Sequence, residues 1–251
     1  MRIGSLGSGS RGNATLVQHG DTTLLVDNGF SLKQFTLRLQ RFDLQPRDID
    51  AVLLTHEHGD HSGGVARLCA NHGIPLWTTV GTARAVLEPD FEFHKLIAGQ
   101  RLQIGSLEVL PVTVPHDASE PLQFIFHQPG DGKRLGILTD TGHITSQIVE
   151  TFDRLDGLIL EFNYDPEMLE AGPYPIPLKQ RVGGSHGHLS NQQSLDLLRR
   201  IDTSELSCLV AAHISEQNNR PAIVSELLGQ LEGLPEPILA KQDTGFDWIS
   251  I

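Results

Sequence analysis

Cysteine is scarce in this sequence, and the cysteines that it has form no motif. Cys69 and Cys208 are the only two among 251 residues. They lie too far apart for a CxxC pair and are too few to build a disulfide scaffold. We therefore expect two small core residues in a reducing compartment, and a fold that depends on its hydrophobic core.

Long apolar segments are absent as well. The opening residues, MRIGSLGSGS, contain no apolar core of a signal peptide. No run approaches the ~18 apolar residues that a membrane span needs. These absences favour a cytoplasmic protein without a membrane partner. A chain of 251 residues, 39% of them hydrophobic, fits a single α/β domain over residues 1–251.

Basic residues are outnumbered: 19 lysines and arginines stand against 31 acidic residues, which gives a net charge of −12. A wide basic surface that coats nucleic acid is therefore not expected, although a local basic patch remains compatible with this charge. Histidine, by contrast, occurs 12 times, against two each of tryptophan, tyrosine, methionine and cysteine. The candidates for local contacts with phosphate are Arg11, Lys179, Arg181 and Arg220.

The apolar pattern alternates between strand and helix periods along the whole chain. Ser31 and Ser190 are predicted N-caps, and Gln193 completes a capping box with Ser190. Hairpins in both halves and helices throughout predict an αββα sandwich, in which two mixed β-sheets are flanked by helices. The predicted strands are residues 2–6, 14–19, 22–26, 51–55, 107–114, 122–127, 134–139, 157–161, 207–213, 238–240 and 246–251. The predicted helices follow Ser31 and cover 63–71, 146–155, 190–201 and 221–231, with an irregular segment around Pro173, Pro175 and Pro177.

Residues 7–12 (GSGSRG) match the dinucleotide-binding pattern GxGxxG and follow a predicted strand. That function requires the loop to open a helix whose N-terminus holds the pyrophosphate. Residues 13–26 have the pattern of a β-hairpin instead, so we reject a dinucleotide site. Two interpretations remain: a flexible turn, or a loop of small residues beside an active site, where a substrate or phosphate can approach the backbone.

The strongest feature is residues 55–61, THEHGDH, directly after a predicted buried strand. It is not the helical HExxH zinc motif, because an aspartate occupies the second histidine position and the preceding glycine disfavours a helix. In a loop, His56 and His58 can turn to one side and hold one ion, while Asp60 and His61 hold a second. Imidazole suits zinc, iron, nickel or manganese, and a carboxylate extends the choice towards manganese. The alternative is a solvated polar loop.

This motif resembles HxHxDH, the hallmark of the metallo-β-lactamase-fold superfamily. The resemblance implies three further ligands, each at the end of a predicted strand, in the segments PHD, ILTDTGH and VAAHIS. It also implies that Asp27, in LLVD, braces the metal loop without binding metal. Two divalent ions, zinc or manganese with iron or nickel as further options, are expected. The implied ligands are His56, His58 and His116 for one ion, Asp60, His61 and His213 for the other, and Asp140 as a bridge.

Three segments narrow the resemblance to the YycJ/WalJ-type branch, whose members are described as metal-dependent exonucleases that act on DNA. They are residues 7–13 (GSGSRGN), 187–191 (GHLSN) and 213–219 (HISEQNN). The similarity covers essentially the whole chain. One departure is HIS where this branch commonly has HLS. The substrate-binding candidates within these segments are Ser8, Ser10, Asn13, Asn191 and Asn218.

The phosphodiesterase side of the superfamily, which includes tRNA 3′-processing endonucleases, also pairs a glutamate after a strand with a histidine in a GH[ST]-like segment. Glu161 and His188 match these places, with GHLS for GHST. The resemblance implies that Glu161 orients the imidazole of His188, which then protonates the leaving oxygen. The alternatives are a solvated carboxylate at a strand end and a polar residue before a helix cap.

These observations predict a phosphodiesterase, and the resemblance implies a DNA exonuclease. The expected nucleophile is a hydroxide that bridges the two ions, with Asp60 first a ligand and then a proton acceptor. One alternative is a small-molecule hydrolase on the same fold, either a cyclic phosphodiesterase or a thioester or lactone hydrolase. The acidic net charge favours it and the proton-donor pair disfavours it. A non-catalytic binding module is the other alternative, which the intact ligand set disfavours. The oligomeric state is left open.

Overall fold

The computed structural model describes residues 1–251 and contains two seven-stranded β-sheets. In chain order the strands are β1 (Arg2–Gly7), β2 (Ala14–His19), β3 (Thr22–Val26), β4 (Ala51–Leu53), β5 (Leu76–Thr78), β6 (His94–Lys95), β7 (Leu102–Ile104), β8 (Leu107–Thr113), β9 (Leu122–His127), β10 (Arg134–Leu138), β11 (Gly157–Glu161), β12 (Cys208–Ala212), β13 (Ile238–Leu239) and β14 (Phe246–Ser250). The first sheet has the order β14-β1-β2-β3-β4-β5-β6, and the second has the order β13-β12-β11-β10-β9-β8-β7.

Nine α-helices connect and cover these strands. Ser31 accepts a hydrogen bond from the backbone of Gln34 at the start of the first helix, and Ser190 forms the predicted capping box with Gln193. None of the helices is long and apolar enough to cross a membrane. In chain order they are α1 (Leu32–Leu39), α2 (Gly59–Ser62), α3 (Val65–His72), α4 (Val80–Val86), α5 (Ser146–Thr151), α6 (Pro166–Ala171), α7 (Ile176–Val182), α8 (Asn191–Arg200) and α9 (Pro221–Leu228).

Both sheets are mixed, and each contains one run of parallel strands. Strands β3 to β6 are parallel to one another, as are β10 to β13, while the remaining neighbours are antiparallel. The carboxyl ends of parallel strands meet at one edge of a sheet, which is where open α/β sheets place their ligands. The loops that follow these strands therefore converge.

The hydrophobic core has three layers, because the side chains of each strand alternate between its two faces. In β11, for example, Ile159 faces the other sheet, while Leu158 and Leu160 face the helices α5 and α8. The first sheet likewise packs its outer face against α1 and α3. Both cysteines are buried and unpaired in these layers, as expected. The predicted αββα sandwich is confirmed.

The structure differs from the sequence prediction around the histidine motif. Residues 59–62 form one helical turn, α2, before the predicted helix begins, with His58 in the N-cap position. Position 59 is the first residue of this turn, where glycine costs less than in a helix interior. The segment around Pro173, Pro175 and Pro177, predicted as irregular, is also partly helical, because Pro177 occupies a first-turn position of α7, where no N–H is needed.

The loop after β3 packs directly on this helical turn. The backbone N–H of Asn28 donates to the carbonyl of His61 at 2.8 Å. From the loop before β2, the backbone N–H of Asn13 donates to the carbonyl of Asp60 at 2.8 Å. Gly29 lies so close that a Cβ atom there would be 2.0 Å from the carbonyl oxygen of Asp60. The contact is with backbone, so no side-chain rotation relieves it.

We expect Gly29→Ala to lower the free energy of unfolding by about 1–3 kcal/mol, the usual cost of forcing extra atoms into a packed region. Urea denaturation measures the change. Gly59→Ala is the matched control, since a Cβ atom there meets nothing within 4 Å. Equal stability of the two variants would show that the loop yields without cost.

Candidate metal centre

Several candidate ligands, and the two carboxylates expected to support the site, lie near the carboxyl ends of strands, at the edge where the loops converge. Asp27 directly follows β3, and His213 directly follows β12. His56 comes shortly after β4, and Asp140 after β10. Glu161 is the last residue of β11. Residues from five strands of two sheets therefore meet in one place.

Three of these residues have an unusual backbone conformation. The φ angles of Asp27, Asp140 and His213 are 60°, 53° and 52°. This left-handed region is rare for residues other than glycine, although aspartate, asparagine and histidine enter it more readily than most. Each such residue costs of order 1–3 kcal/mol and persists only where the surroundings enforce it. Strain of this kind clusters at functional sites.

Three imidazoles form the first half of the cluster. His58 Nδ1 lies 3.1 Å from His56 Nε2 and 3.2 Å from His116 Nε2. The opposite nitrogen of His116 faces the carbonyl of Gly187 at 2.9 Å, so it is the protonated one and Nε2 carries the lone pair. Burial lowers the pKa of His56 and His116 below the usual value. Three imidazoles whose ring nitrogens share one small space fit a divalent cation.

Asp140 joins this half to a second one. Its Oδ2 lies 3.4 Å from His61 Nε2, and its Oδ1 lies 3.1 Å from His213 Nδ1. Asp60 Oδ2 is 3.5 Å from His61 Nε2. Burial opposes protonation of His213, but the Asp140 carboxylate outweighs it and raises the pKa to about 9. A buried carboxylate between two groups of imidazoles has the position required of a bridging ligand.

Asp27 contacts His61 on the side of the imidazole opposite to the cluster. Its carboxylate accepts hydrogen bonds from His61 Nδ1 at 2.7 Å and from the Thr55 N–H and hydroxyl at 2.8 Å each. The arrangement directs His61 Nε2 towards the cluster. Asp27 is nearly fully buried and does not belong to any of the ligand clusters. This is the geometry that a bracing residue requires.

Glu161 and His188 adjoin the cluster. His188 Nδ1 lies 2.8 Å from Glu161 Oε1, and the other carboxylate oxygen accepts from the backbone N–H of Leu189 at 3.0 Å. The glutamate is fully buried, whereas 22% of the His188 side chain is exposed. Potential ligand atoms of Asp140, Glu161, His188 and His213 all lie within 4.8 Å of one another. The pair is therefore close enough to act at this centre.

A pocket of about 370 Å³ opens over the cluster. Two of the five substrate-binding candidates, Ser10 and Asn218, line it. The other three face protein: Ser8 accepts from the N–H of His213, Asn13 contacts Asp60 and His61, and Asn191 pairs with Asn219. These contacts favour support of the site over substrate contact for Ser8, Asn13 and Asn191.

Sequence reasoning missed several residues that line the pocket. Asp117 directly follows a candidate ligand, which is a clue to its position, but nothing in the pattern singles out Asn163, Tyr174 or Gln242. Of the four basic candidates only Arg181 lines the pocket. Arg11 pairs with Glu216 and Asp243 instead, and Lys179 donates to the carbonyl of Glu170.

Comparison with known proteins agrees with this architecture. A sequence family described as "Beta-lactamase superfamily domain" matches residues 22–214. The exodeoxyribonuclease WalJ of Streptococcus pneumoniae serotype 2 is 33% identical over 85% of this chain and 81% of its own length. The exodeoxyribonuclease YycJ of Bacillus anthracis is 29% identical over 92% of this chain and 89% of its own. Zinc-bound PqqB from Methylobacterium extorquens has the same fold, with a TM-score of 0.76, 20% identity and full coverage of both chains.

The fold, the histidine and aspartate cluster and these relatives define the class of protein: it is a metal-dependent hydrolase of the metallo-β-lactamase fold. Within that class, the chain belongs to the β-lactamase superfamily domain family and to its WalJ/YycJ branch.

We expect Asp27→Asn to weaken metal binding by about 10- to 100-fold, the usual effect of losing a residue that orients a ligand. The amide would place an N–H group against a donor of Thr55 or His61. Competition with a chromogenic chelator measures the affinity. The control is Asp90→Asn, an exposed carboxylate far from the motif in sequence. Unchanged affinity in Asp27→Asn would show that Asp27 does not brace the ligand.

Proposed function

We propose that the protein is a phosphodiesterase with two divalent metal ions, and specifically a DNA exonuclease. The observation that carries the phosphodiesterase proposal is the hydrogen-bonded pair of Glu161 and His188 beside the metal cluster. A phosphodiester releases a poor alkoxide leaving group, which needs a proton. DNA as the substrate and the exonuclease activity are supported by the names of the relatives, WalJ and YycJ.

The residues divide into two ligand sets and one proton donor. His56, His58 and His116 would hold one ion, Asp60, His61 and His213 the other, and Asp140 would bridge them. Zinc or manganese suits these ligands, with iron or nickel as further options. When bound, two such ions lower the pKa of a water molecule and offset the negative charge of a phosphate. Their charge would explain how a chain with a net charge of −12 could accept an anionic substrate.

His188 is proposed as the acid that protonates the leaving oxygen. Its Nδ1–H donates to buried Glu161, which leaves Nε2–H to donate towards a substrate in the pocket that His188 lines. The carboxylate fixes the orientation of the imidazole. Glu161 is itself fixed by two backbone N–H donors, those of Leu189 and Thr141. Asp60, which is partly exposed to the same pocket, would accept the proton of the attacking water.

A substrate panel tests the function. We expect the metal-loaded protein to hydrolyse bis(p-nitrophenyl) phosphate and to release nucleotides from linear duplex DNA, with manganese and with zinc assayed separately. A chelator should abolish both activities. Hydrolysis of a thioester in place of the phosphodiesters would instead identify a small-molecule hydrolase, and full metal content without any turnover would identify a binding module.

A second experiment separates metal binding from chemistry. We expect His188→Ala to keep the metal content of the unmodified protein and to lose about 10²- to 10⁴-fold in DNA cleavage, the usual contribution of a general acid. Bis(p-nitrophenyl) phosphate should suffer much less, because p-nitrophenolate leaves without a proton. Glu161→Gln should show a weaker form of the same pattern.

Asp140→Ala is the contrasting variant, because the loss of a bridging ligand should reduce the metal content measured by mass spectrometry. The close approach of Glu161 and His188 to Asp140 and His213 makes this comparison necessary. A loss of metal in His188→Ala would make His188 a ligand, and parental DNA cleavage in that variant would remove its role as an acid.

A further inference from the structure

The pocket over the metal cluster is lined by four carboxylate side chains and only one arginine or lysine. Asp60, Asp117, Asp140 and Glu216 contribute carboxylates to its wall, and Arg181 is the only lysine or arginine there. Metal ions would offset the two carboxylates that are candidate ligands. Of the other two carboxylates, Glu216 is paired with Arg11, which does not line the pocket, and Asp117 is paired with Arg181. Arg181 is therefore the one lysine or arginine of the pocket wall that can attract an anionic substrate.

Arg181 contacts the imidazole of His58 on the side opposite to His56 and His116. His58 directs Nδ1 towards the other two histidines, so its Nε2 faces outwards. That outer nitrogen is 3.4 Å from Arg181 Nη2 and 3.6 Å from Asp117 Oδ1. The guanidinium therefore stands at the entrance to the candidate metal centre, and 58% of the Arg181 side chain is exposed.

Asp117 fixes the direction of the guanidinium. Arg181 Nε donates to Asp117 Oδ2 at 2.5 Å. This hydrogen bond uses only the Nε–H group of the planar guanidinium. The terminal Nη groups have no carboxylate partner. The terminal N–H groups of a planar guanidinium match the oxygens of a phosphate in geometry and charge, and this match distinguishes arginine from lysine.

The helix that carries Arg181 is also tied to the site. The N–H of His188 donates to the carbonyl of Val182 at 2.9 Å, at the end of α7. Gly187 packs so tightly that a Cβ atom there would lie 2.1 Å from the carbonyl of Arg181. The carbonyl of Gly187 in turn faces His116 Nδ1. One short segment therefore positions the arginine, the candidate acid and a candidate ligand together.

We propose that Arg181, oriented by Asp117, binds a non-bridging oxygen of the substrate's phosphodiester and makes the site selective for anionic phosphodiesters over neutral esters. This inference rests on the proposed function. The remaining basic candidates are placed differently: Arg11 is held by two carboxylates, and neither Lys179 nor Arg220 lines the pocket. The competing interpretation is a salt bridge that only holds the pocket wall together.

The test compares Arg181→Gln, Arg181→Lys and the control Arg199→Gln as metal-loaded proteins. Arg199 pairs with Asp196 on the exposed side of α8 and does not line the pocket. We expect Arg181→Gln to raise KM for bis(p-nitrophenyl) phosphate roughly 10- to 100-fold, the usual effect of losing a hydrogen bond to a charged group. Metal content, and any turnover of p-nitrophenyl acetate, should not change. Arg181→Lys should recover part of the loss.

Equilibrium binding gives a readout that does not need turnover. Fluorescence anisotropy measures the affinity for a labelled single-stranded oligonucleotide at several salt concentrations, in the His188→Ala background. We expect the slope of log affinity against log salt to be smaller by ~0.7 in Arg181→Gln, because one phosphate contact is lost. An unchanged KM and an unchanged slope would overturn the proposal, and a loss of metal would assign Arg181 a structural role. If the unmodified protein hydrolyses no phosphodiester, the proposed function fails, while the binding comparison still tests Arg181.

Asp117→Asn tests the orientation. If Asp117 acts through Arg181, the double variant Asp117→Asn/Arg181→Gln should bind the oligonucleotide no more weakly than Arg181→Gln alone. The reason is that the free-energy changes of two substitutions do not add when both residues act through the same contact. Additive losses would show that Asp117 contributes independently and would contradict its role as a positioning residue.

Discussion

The site depends on one electrostatic constraint: imidazoles and carboxylates are buried together at the edge where the strands of both sheets end. His56, His61, His116, Asp140 and His213 are each at most 4% exposed. Burying ionisable groups is costly unless they are paired or coordinate a metal. The Asp140 carboxylate meets part of this requirement through His61 and His213. His58 directs one ring nitrogen towards His56 and His116, and these three imidazoles form a set of donors that suits a divalent cation.

Hydrogen bonds from surrounding residues hold several of these groups in position. Asp27 and Thr55 support His61, the Gly187 carbonyl supports His116, and the Ser8 hydroxyl supports the backbone of His213. Outer contacts of this kind fix the orientation and tautomer of metal-binding histidines. The backbone strain at three strand ends is tolerated for the same reason, since tight hydrogen bonding and close backbone packing leave no alternative conformation.

In the proposed function, the accessible wall of the pocket has a catalytic side and a recognition side. His188, which is held by buried Glu161, lies on the first side next to the cluster, and Asp117 and Arg181 lie on the second, against the outer nitrogen of His58. The segment from α7 to His188 connects the two sides. Proton donation and phosphate recognition would thus share one structural support, so that a displacement of α7 would disturb both.

The sequence by itself determined the sandwich, because strand and helix periods and capping residues are local properties. It also located the histidine motif, and the resemblance supplied His116, Asp140, His213, Glu161 and His188 as candidates. Only the tertiary structure decided where side chains point: Ser8 and Asn191 face protein, and Arg181 meets Asp117 across 64 positions of the chain. The reason is physical, since these directions follow from packing between segments that are far apart in the chain, which leaves no periodic trace in the sequence.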